Sequence, residues 1–172
     1  MVAAAEPGAA RPQPLRRATS AGLLVFRQHP GGPQFLLVHP GGPFWRRRDE
    51  GVWSIPKGLL DEGEDELQGA AREFVEEVGI EVSGDFVRLT PLRQPSGKTV
   101  LCWLVEADLD LTGFHSNTFE LEWPPRSGRT LLVPECDRAD YFAADVALVK
   151  MLPGQRGFVQ EALQRLGDGA VP

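Results

Sequence analysis

The segment from Gly58 to Ile80 constrains this chain more tightly than any other stretch. Leu67, Ala70, Ala71, Phe74 and Val78 recur at steps of three and four, which predicts a helix over roughly residues 65 to 78 with one apolar stripe against a core. Glu64, Asp65 and Glu66 stand where the first turn favours negative charge, and Gly79 stands where a left-handed residue ends a helix. The helix is therefore amphipathic, and its polar face is acidic. Glu73, Glu76 and Glu77 lie at i, i+3 and i+4, so their carboxylates share one side.

Such a face is ordinarily just solvated, and magnitude decides when it is not. Two carboxylates about 6 Å apart repel by roughly 3 kcal/mol at an effective dielectric of ~20, and by well under 1 kcal/mol in open water. A buried cluster thus calls for a cation. Oxygen-rich clusters suit hard divalent ions, and magnesium is commonly shared between a few carboxylates and substrate phosphates.

The flanking sequence predicts an α/β domain, a mixed sheet sandwiched between helices. Ala21–Phe26 and Phe35–His39 read as strands joined through the turn-rich Pro30-Gly-Gly-Pro33, and Val52–Ile55 reads as a short strand closed by Pro56. Thr99–Val105 is a continuous apolar run, consistent with a strand buried on both faces. Residues 107 to 135 look loop-rich, with Trp123–Gly128 resisting regular structure. Ala143–Met151 and Gly157–Leu166 read as helices. Residues 1 to 18, rich in Ala, Pro and Arg, read as a disordered tail, leaving 19 to 172 as the single folded domain.

Composition narrows the function classes. The chain has 172 residues and 42% hydrophobic content, enough for one sizeable core. Its net charge of -6 argues against nucleic acid as a partner, because a basic stripe is the usual footprint of that activity. It leaves phosphate substrates open, since bound cations reverse the local field and Arg46, Arg47, Arg48, Lys57 and Lys98 lie near the expected mouth. The two cysteines, Cys102 and Cys136, form no disulfide framework, and Cys102 reads as a small core residue. His29, His39 and His115 are scattered, so zinc hydrolysis and triad chemistry find no support. No apolar run approaches a membrane span and no signal core is visible, so the expected location is the cytoplasm. No feature speaks to oligomeric state.

The segment from Gly58 to Ile80 closely resembles the Nudix box: a glycine, five residues, a glutamate, seven residues, then Arg-Glu-apolar-x-Glu-Glu-x-Gly-apolar. Every specified position is filled. The resemblance implies a Nudix fold and magnesium-dependent hydrolysis, with manganese as the alternative ion, of a nucleoside diphosphate linked to another group. It implies Glu73 and Glu77 as main metal ligands, with Glu76 assisting or binding a further ion. Arg72 would orient Glu73, and Glu64 would brace the loop-helix-loop or complete the metal shell. Gly58 would let the backbone approach the metal, with the Lys57 carbonyl as ligand.

A carboxylate base is also needed, because attacking water must lose a proton. Glu135 is favoured by its position relative to family members, ahead of Glu120 and Glu122. Trp53-Ser-Ile-Pro-Lys-Gly58 resembles the lead-in of Nudix hydrolases acting on diadenosine tetraphosphate and diphosphoinositol polyphosphates. Lys98–Glu106 is similar to the strand after the box in asymmetric diadenosine tetraphosphate hydrolases. The implied partner is a small nucleotide, best a dinucleoside polyphosphate, with Lys57 and Lys98 on phosphate, and with Trp45 and Arg46 near the substrate. Phe44, Trp45 and Trp53 offer flat faces for a nucleobase. The rivals are a nucleoside triphosphate sanitiser, an ADP-ribose pyrophosphatase, for which Pro95 is the relevant proline, and a non-catalytic nucleotide sensor. Against the leading reading, the tyrosine many dinucleoside polyphosphate hydrolases carry shortly after the box is missing, and Tyr141 lies much further on.

Overall fold

The computed structural model describes residues 18–169. The expected disordered tail lies outside the described residues except for Ala18, which is exposed. In order, the elements are β1 (Thr19–Arg27), β2 (Gln34–Pro40), β3 (Lys57–Leu59), α1 (Glu66–Val78), β4 (Val87–Arg88), β5 (Leu92–Arg93), β6 (Thr99–Glu106), β7 (Thr118–Glu122), β8 (Thr130–Pro134), β9 (Cys136–Ala143), α2 (Ala144–Lys150) and α3 (Arg156–Gly167).

The main sheet is mixed, in the order β4-β6-β1-β2-β9, with β3 also paired to β1 and β5 to β6. Its middle is the parallel pair of β1 and β6, in register from Thr19 opposite Thr99 to Phe26 opposite Glu106. Both strands are near-continuous apolar runs because both of their faces are covered. Alternate side chains divide between two cores. Leu24, Phe26, Cys102 and Leu104 pack with Ala147, Phe158, Val159 and Ala162 of α2 and α3. Leu23, Val25, Leu101, Trp103 and Val105 pack with Ala70, Phe74 and Val78 of α1. The period of two in the strands thus builds the expected helix-sheet-helix sandwich.

One feature of the sheet positions the site. β1 and β2 form the expected hairpin, but they pair only near the turn, at Phe26 with Phe35 and Arg27 with Gln34. Beyond it they diverge. β2 runs on beside β9, while the start of β1 takes β3 as its antiparallel neighbour, from Ser20 opposite Leu59 to Gly22 opposite Lys57. β3 therefore lies in the sheet beside β1 and, like β1, against α1, with the box glycine, Gly58, at its centre.

Two expectations require correction. Val52–Ile55 is not a strand: Trp53 and Ser54 make only isolated bridges, to Met151 and Val38 respectively. Trp53 is 3% exposed and donates its indole N–H to Asp49 at 2.9 Å, so it is a core residue with no free face for a base. Residues 107 to 135 are not simply loop-rich either. β7 and β8 form a separate hairpin from Thr118 opposite Pro134 to Glu122 opposite Thr130, and Trp123–Gly128 is its turn, with Arg126 at φ 63. The hairpin stayed hidden because each strand is only five residues long and, although Thr118-Phe-Glu-Leu-Glu122 alternates, Thr130-Leu-Leu-Val-Pro134 does not.

Candidate active site

α1 is set by its ends. The Asp65 carboxylate accepts the backbone N–H of Gln68 at 3.0 Å, and Gly79 adopts φ 78 to close the helix with its N–H on the Val75 carbonyl. With Ala70, Phe74 and Val78 fully buried against the sheet, Glu73 and Glu77 turn towards β3. Glu73 is only 8% exposed. A Cβ on Gly58 would overlap the Glu73 carboxylate, so glycine is what lets β3 lie against that side chain. Glu77 is held on the same strand, accepting the backbone N–H of Lys57 at 3.0 Å.

Arg72 organises the other acidic side chains. Its Nε and Nη2 grip Glu64 in a two-pronged pair at 2.7 and 2.9 Å, and its Nη1 donates to Glu73 at 2.8 Å and to Glu76 at 3.1 Å. A planar guanidinium can do this because its donors are fixed in a fork. Nη2 also reaches the Leu59 carbonyl at 3.1 Å, tying the helix to β3. Glu64 accepts in addition from the Asp61 N–H at 3.0 Å. The Arg72 hydrogen bonds, then that backbone N–H, hold the Glu64 carboxyl down to about 2.

Glu135 sits between β8 and β9, brought to the cluster by backbone bonds. The N–H groups of His115 and Asn117 donate to the Val78 and Glu76 carbonyls of α1, and the Glu135 N–H donates in turn to the Asn117 carbonyl at 2.8 Å. The Glu135 carbonyl accepts the Gly41 N–H at 2.9 Å, which joins the 41–48 loop to the same place.

The electrostatics of Glu73, Glu77 and Glu135 agree with this proximity. Burial pushes the Glu77 carboxyl up to about 7, opposed by Lys57 and aided by the charges of Glu73 and Glu135. Burial also raises Glu73, with Glu76 and Glu135 adding to the rise against Arg72. Glu135 is raised by burial and then by Glu76. In these three carboxyls burial and neighbouring negative charge outweigh the nearby cations, the condition that a hard divalent cation relieves. Among the described residues no three His, Cys, Asp or Glu side chains converge as a ready-made cage. A magnesium site built on one or two carboxylates, completed by water and substrate phosphates, requires no such cage. Glu73 and Glu77 with the backbone at Lys57 and Gly58 fit that kind of site.

On the other side of β3 is an open cleft of about 500 Å³ lined by Ser20, Lys57, Gly58, Gln94, Lys98 and Gln155, among others. Lys57 and Lys98 are thus brought together, and β3 connects them to the carboxylates. Trp45 and Arg46 do not line this cleft. Trp45 is half-buried and meets the Phe44 ring edge-on at 4.8 Å, Arg48 lies over the Phe44 ring, and Arg46 is exposed. Of the alternative bases, Glu122 accepts the Gly128 N–H within the hairpin turn and Glu120 is exposed on β7. Cys102 and Cys136 are buried, and burial raises both thiols, which removes them as nucleophiles. Tyr141 is a structural residue, its hydroxyl donating to the Ala107 carbonyl and accepting the Leu109 N–H. Sequence reasoning missed Ser20, Gln94 and Gln155, which belong to separate segments and carry no spacing signal.

The sequence model of the NUDIX domain family matches residues 16–161. Nudix hydrolase 7 of Arabidopsis thaliana is 34% identical over 114 residues, 61% of this chain and 38% of that protein. The asymmetrical bis(5'-nucleosyl)-tetraphosphatase of Mus musculus is 34% identical over 101 residues, 51% of this chain and 63% of the mouse protein. The chain therefore spans less than two thirds of the length of either relative. Among solved structures, a Caenorhabditis elegans Ap4A hydrolase binary complex superposes with a TM-score of 0.61 at 23% identity, covering 87% of this chain and 98% of that one. The NUDIX domain of Shewanella oneidensis NrtR, solved with ADP ribose, has a TM-score of 0.60 at 17% identity, covering 88% and 89%. Those two likenesses are of fold. With the box complete, its helix packed on the sheet and the family match running through most of the domain, the chain belongs to the NUDIX domain family.

Proposed function

We propose that this protein is a magnesium-dependent pyrophosphohydrolase that cleaves a phosphoanhydride of a dinucleoside polyphosphate such as diadenosine tetraphosphate. The observation that carries the reading is the set of three carboxyls raised together, Glu73, Glu77 and Glu135, with Glu76 held beside them by Arg72, next to a lysine-lined cleft. Glu73 and Glu77 hold the ion, with the Lys57 carbonyl at Gly58 as a backbone ligand and Glu76 assisting. When bound, the metal supplies charge for the phosphate oxygens, a lowered pKa for attacking water and stabilisation of the leaving group.

The chain's own residues do the rest. Arg72 fixes the Glu73 carboxylate in place, and its pairing with Glu64 supports a bracing role for Glu64 over a direct metal contact. Glu135, its carboxyl raised above the usual range by burial and by Glu76, takes the proton from the attacking water. Lys57 and Lys98 draw the phosphate chain across β3. Trp45 and Arg46, on the loop joined to Glu135 through Gly41, contact a nucleoside end. Manganese can take the place of magnesium at oxygen ligands. Among the described residues no helix is long and apolar enough to cross a membrane, and a cytoplasmic location is part of the proposal.

Product analysis with magnesium tests the reading. The panel holds diadenosine polyphosphates, normal and oxidised nucleoside triphosphates and ADP-ribose. Fastest conversion of diadenosine tetraphosphate to ATP and AMP is the expected result. Faster pyrophosphate release from a triphosphate replaces it with a nucleotide-pool sanitiser, faster ADP-ribose cleavage with an ADP-ribose pyrophosphatase, and tight binding without turnover with a sensor.

A further inference from the structure

Gln155 stands at the start of α3 and is 1% exposed. Its Oε1 accepts the buried backbone N–H of Ile55 at 3.0 Å. That bond fixes the amide, because only the oxygen can accept from an N–H, so Nε2 is left facing the other way. Nε2 has no hydrogen-bond partner, although Gln155 lines the cleft that holds Lys57 and Lys98. A buried donor without an acceptor is costly in a folded protein, and its presence at a cleft wall points to an acceptor that arrives from outside.

The opposite wall is held to the same segment. The Gln94 amide donates to the Gly154 carbonyl at 2.9 Å, and the Gln94 N–H donates to the Lys98 carbonyl at 2.8 Å. The turn carrying Lys98 is thereby pinned next to Gln155. The cleft thus combines Lys57 of β3 and Lys98 of the turn before β6 with a wall residue, Gln155, whose buried amide donor is unpartnered.

We infer that this cleft is a phosphoryl subsite beyond the scissile bond, with the Gln155 amide as a substrate-binding donor. It takes one phosphate group of a chain of three or more. The inference rests on the proposed function for the direction of the substrate, which starts at the carboxylates and crosses β3. A chain of two phosphates commits both to the scissile anhydride and leaves Gln155 unpartnered. A longer chain places a further phosphate between Lys98 and Gln155. The same chemistry comes from inorganic polyphosphate or from a dinucleoside polyphosphate, and the two are separated by testing both.

The test uses the full chain. Inorganic tripolyphosphate is titrated in chelator by calorimetry, and the side-chain amide resonance of Gln155 is followed by nitrogen-15 NMR. Gln155→Glu keeps an acceptor for the Ile55 N–H while replacing the donor. It is expected to weaken tripolyphosphate binding by about tenfold or more, since a hydrogen bond to a charged group is lost and a carboxylate is set against the phosphate. KM for diadenosine tetraphosphate rises by a similar factor with kcat little changed, and the kinetics with ADP-ribose stay near those of the wild type. The amide resonance moves on titration of the wild-type protein, a readout that does not depend on the variant's folding. An amide unmoved by saturating tripolyphosphate overturns the inference, because an internal water or nothing then satisfies Nε2. So does a Gln155→Glu variant that folds and binds tripolyphosphate within twofold of wild type. Hydrolysis of diadenosine tetraphosphate alongside either result sinks the subsite alone. Tripolyphosphate binding through Gln155 without hydrolysis of any phosphoanhydride supports the subsite and sinks the proposed activity.

Discussion

Glu77→Gln separates charge from shape at the carboxylate cluster. The glutamate accepts the Lys57 N–H at 3.0 Å, and the glutamine oxygen can accept the same bond in nearly the same volume. What changes is the desolvated charge. Burial raises the Glu77 carboxyl from 4.5 to about 7 in the folded protein. The folded state therefore binds this proton more tightly than the unfolded chain does. The associated stability is fully present below pH 4.5 and is lost as pH rises through about 7. At about 1.4 kcal/mol per unit, the ionised side chain costs the metal-free fold about 3 kcal/mol at pH 8. Part of that returns in the variant as a weaker bond to Lys57, leaving an expected gain of about 2 kcal/mol.

Urea unfolding followed by tryptophan fluorescence in chelator reads this out. Glu77→Gln should be the more stable protein at pH 8, by about 4 to 8 °C in a parallel thermal melt, and should lose the advantage near pH 4.5. With magnesium the order reverses: wild type gains stability and turnover, and the variant gains little of either. A variant no more stable than wild type at pH 8, or equally favoured at both pH values, would refute the reasoning, because the carboxylate would then not be an ionised, desolvated group awaiting a cation.

Three further perturbations follow from the geometry. Arg72→Lys keeps the charge and loses the fork that spans Glu64, Glu73 and Glu76, so turnover should fall about 10- to 100-fold in steady-state assays while the protein remains folded by circular dichroism. Gly58→Ala places a methyl group on the Glu73 carboxylate; magnesium affinity, read by calorimetry, should drop by about 10-fold or more, and unaltered affinity would mean that β3 and Glu73 are not in contact. Phe74→Ala empties a fully buried position under α1 and should cost about 3 to 5 kcal/mol in urea denaturation.

The elements most legible in the sequence are those whose signal is local and repeated. Steps of three and four residues, an acidic start and Gly79 placed the helix at residues 65 to 78, and α1 runs over Glu66–Val78 with Asp65 as its cap. The run Thr99–Val105 was readable as a two-sided buried strand because nothing polar interrupts it, and β6 is that strand. Val52–Ile55 misled because its apolar side chains are drawn into the core one at a time, with Trp53 bridging to Met151 instead of joining a ladder. The β7–β8 hairpin was missed because the alternation of Thr118–Glu122 is short and its partner strand Thr130–Pro134 does not repeat it, so only the pairing makes the hairpin evident.

For the site the division is sharper. The sequence by itself determined the donor chemistry: Arg72, Glu73, Glu76 and Glu77 come from one helix, and helical periodicity alone places them on neighbouring faces. Only the tertiary structure decided how those groups are charged and what they meet. Gly58 against Glu73, Glu135 beside α1, and Lys57, Lys98 and Gln155 around one cleft are contacts between segments 15 to 100 residues apart. The upward shifts of Glu73, Glu77, Glu135 and the two thiols follow first from desolvation, and desolvation is a property of the packed sheet and helices, which no spacing along a chain encodes.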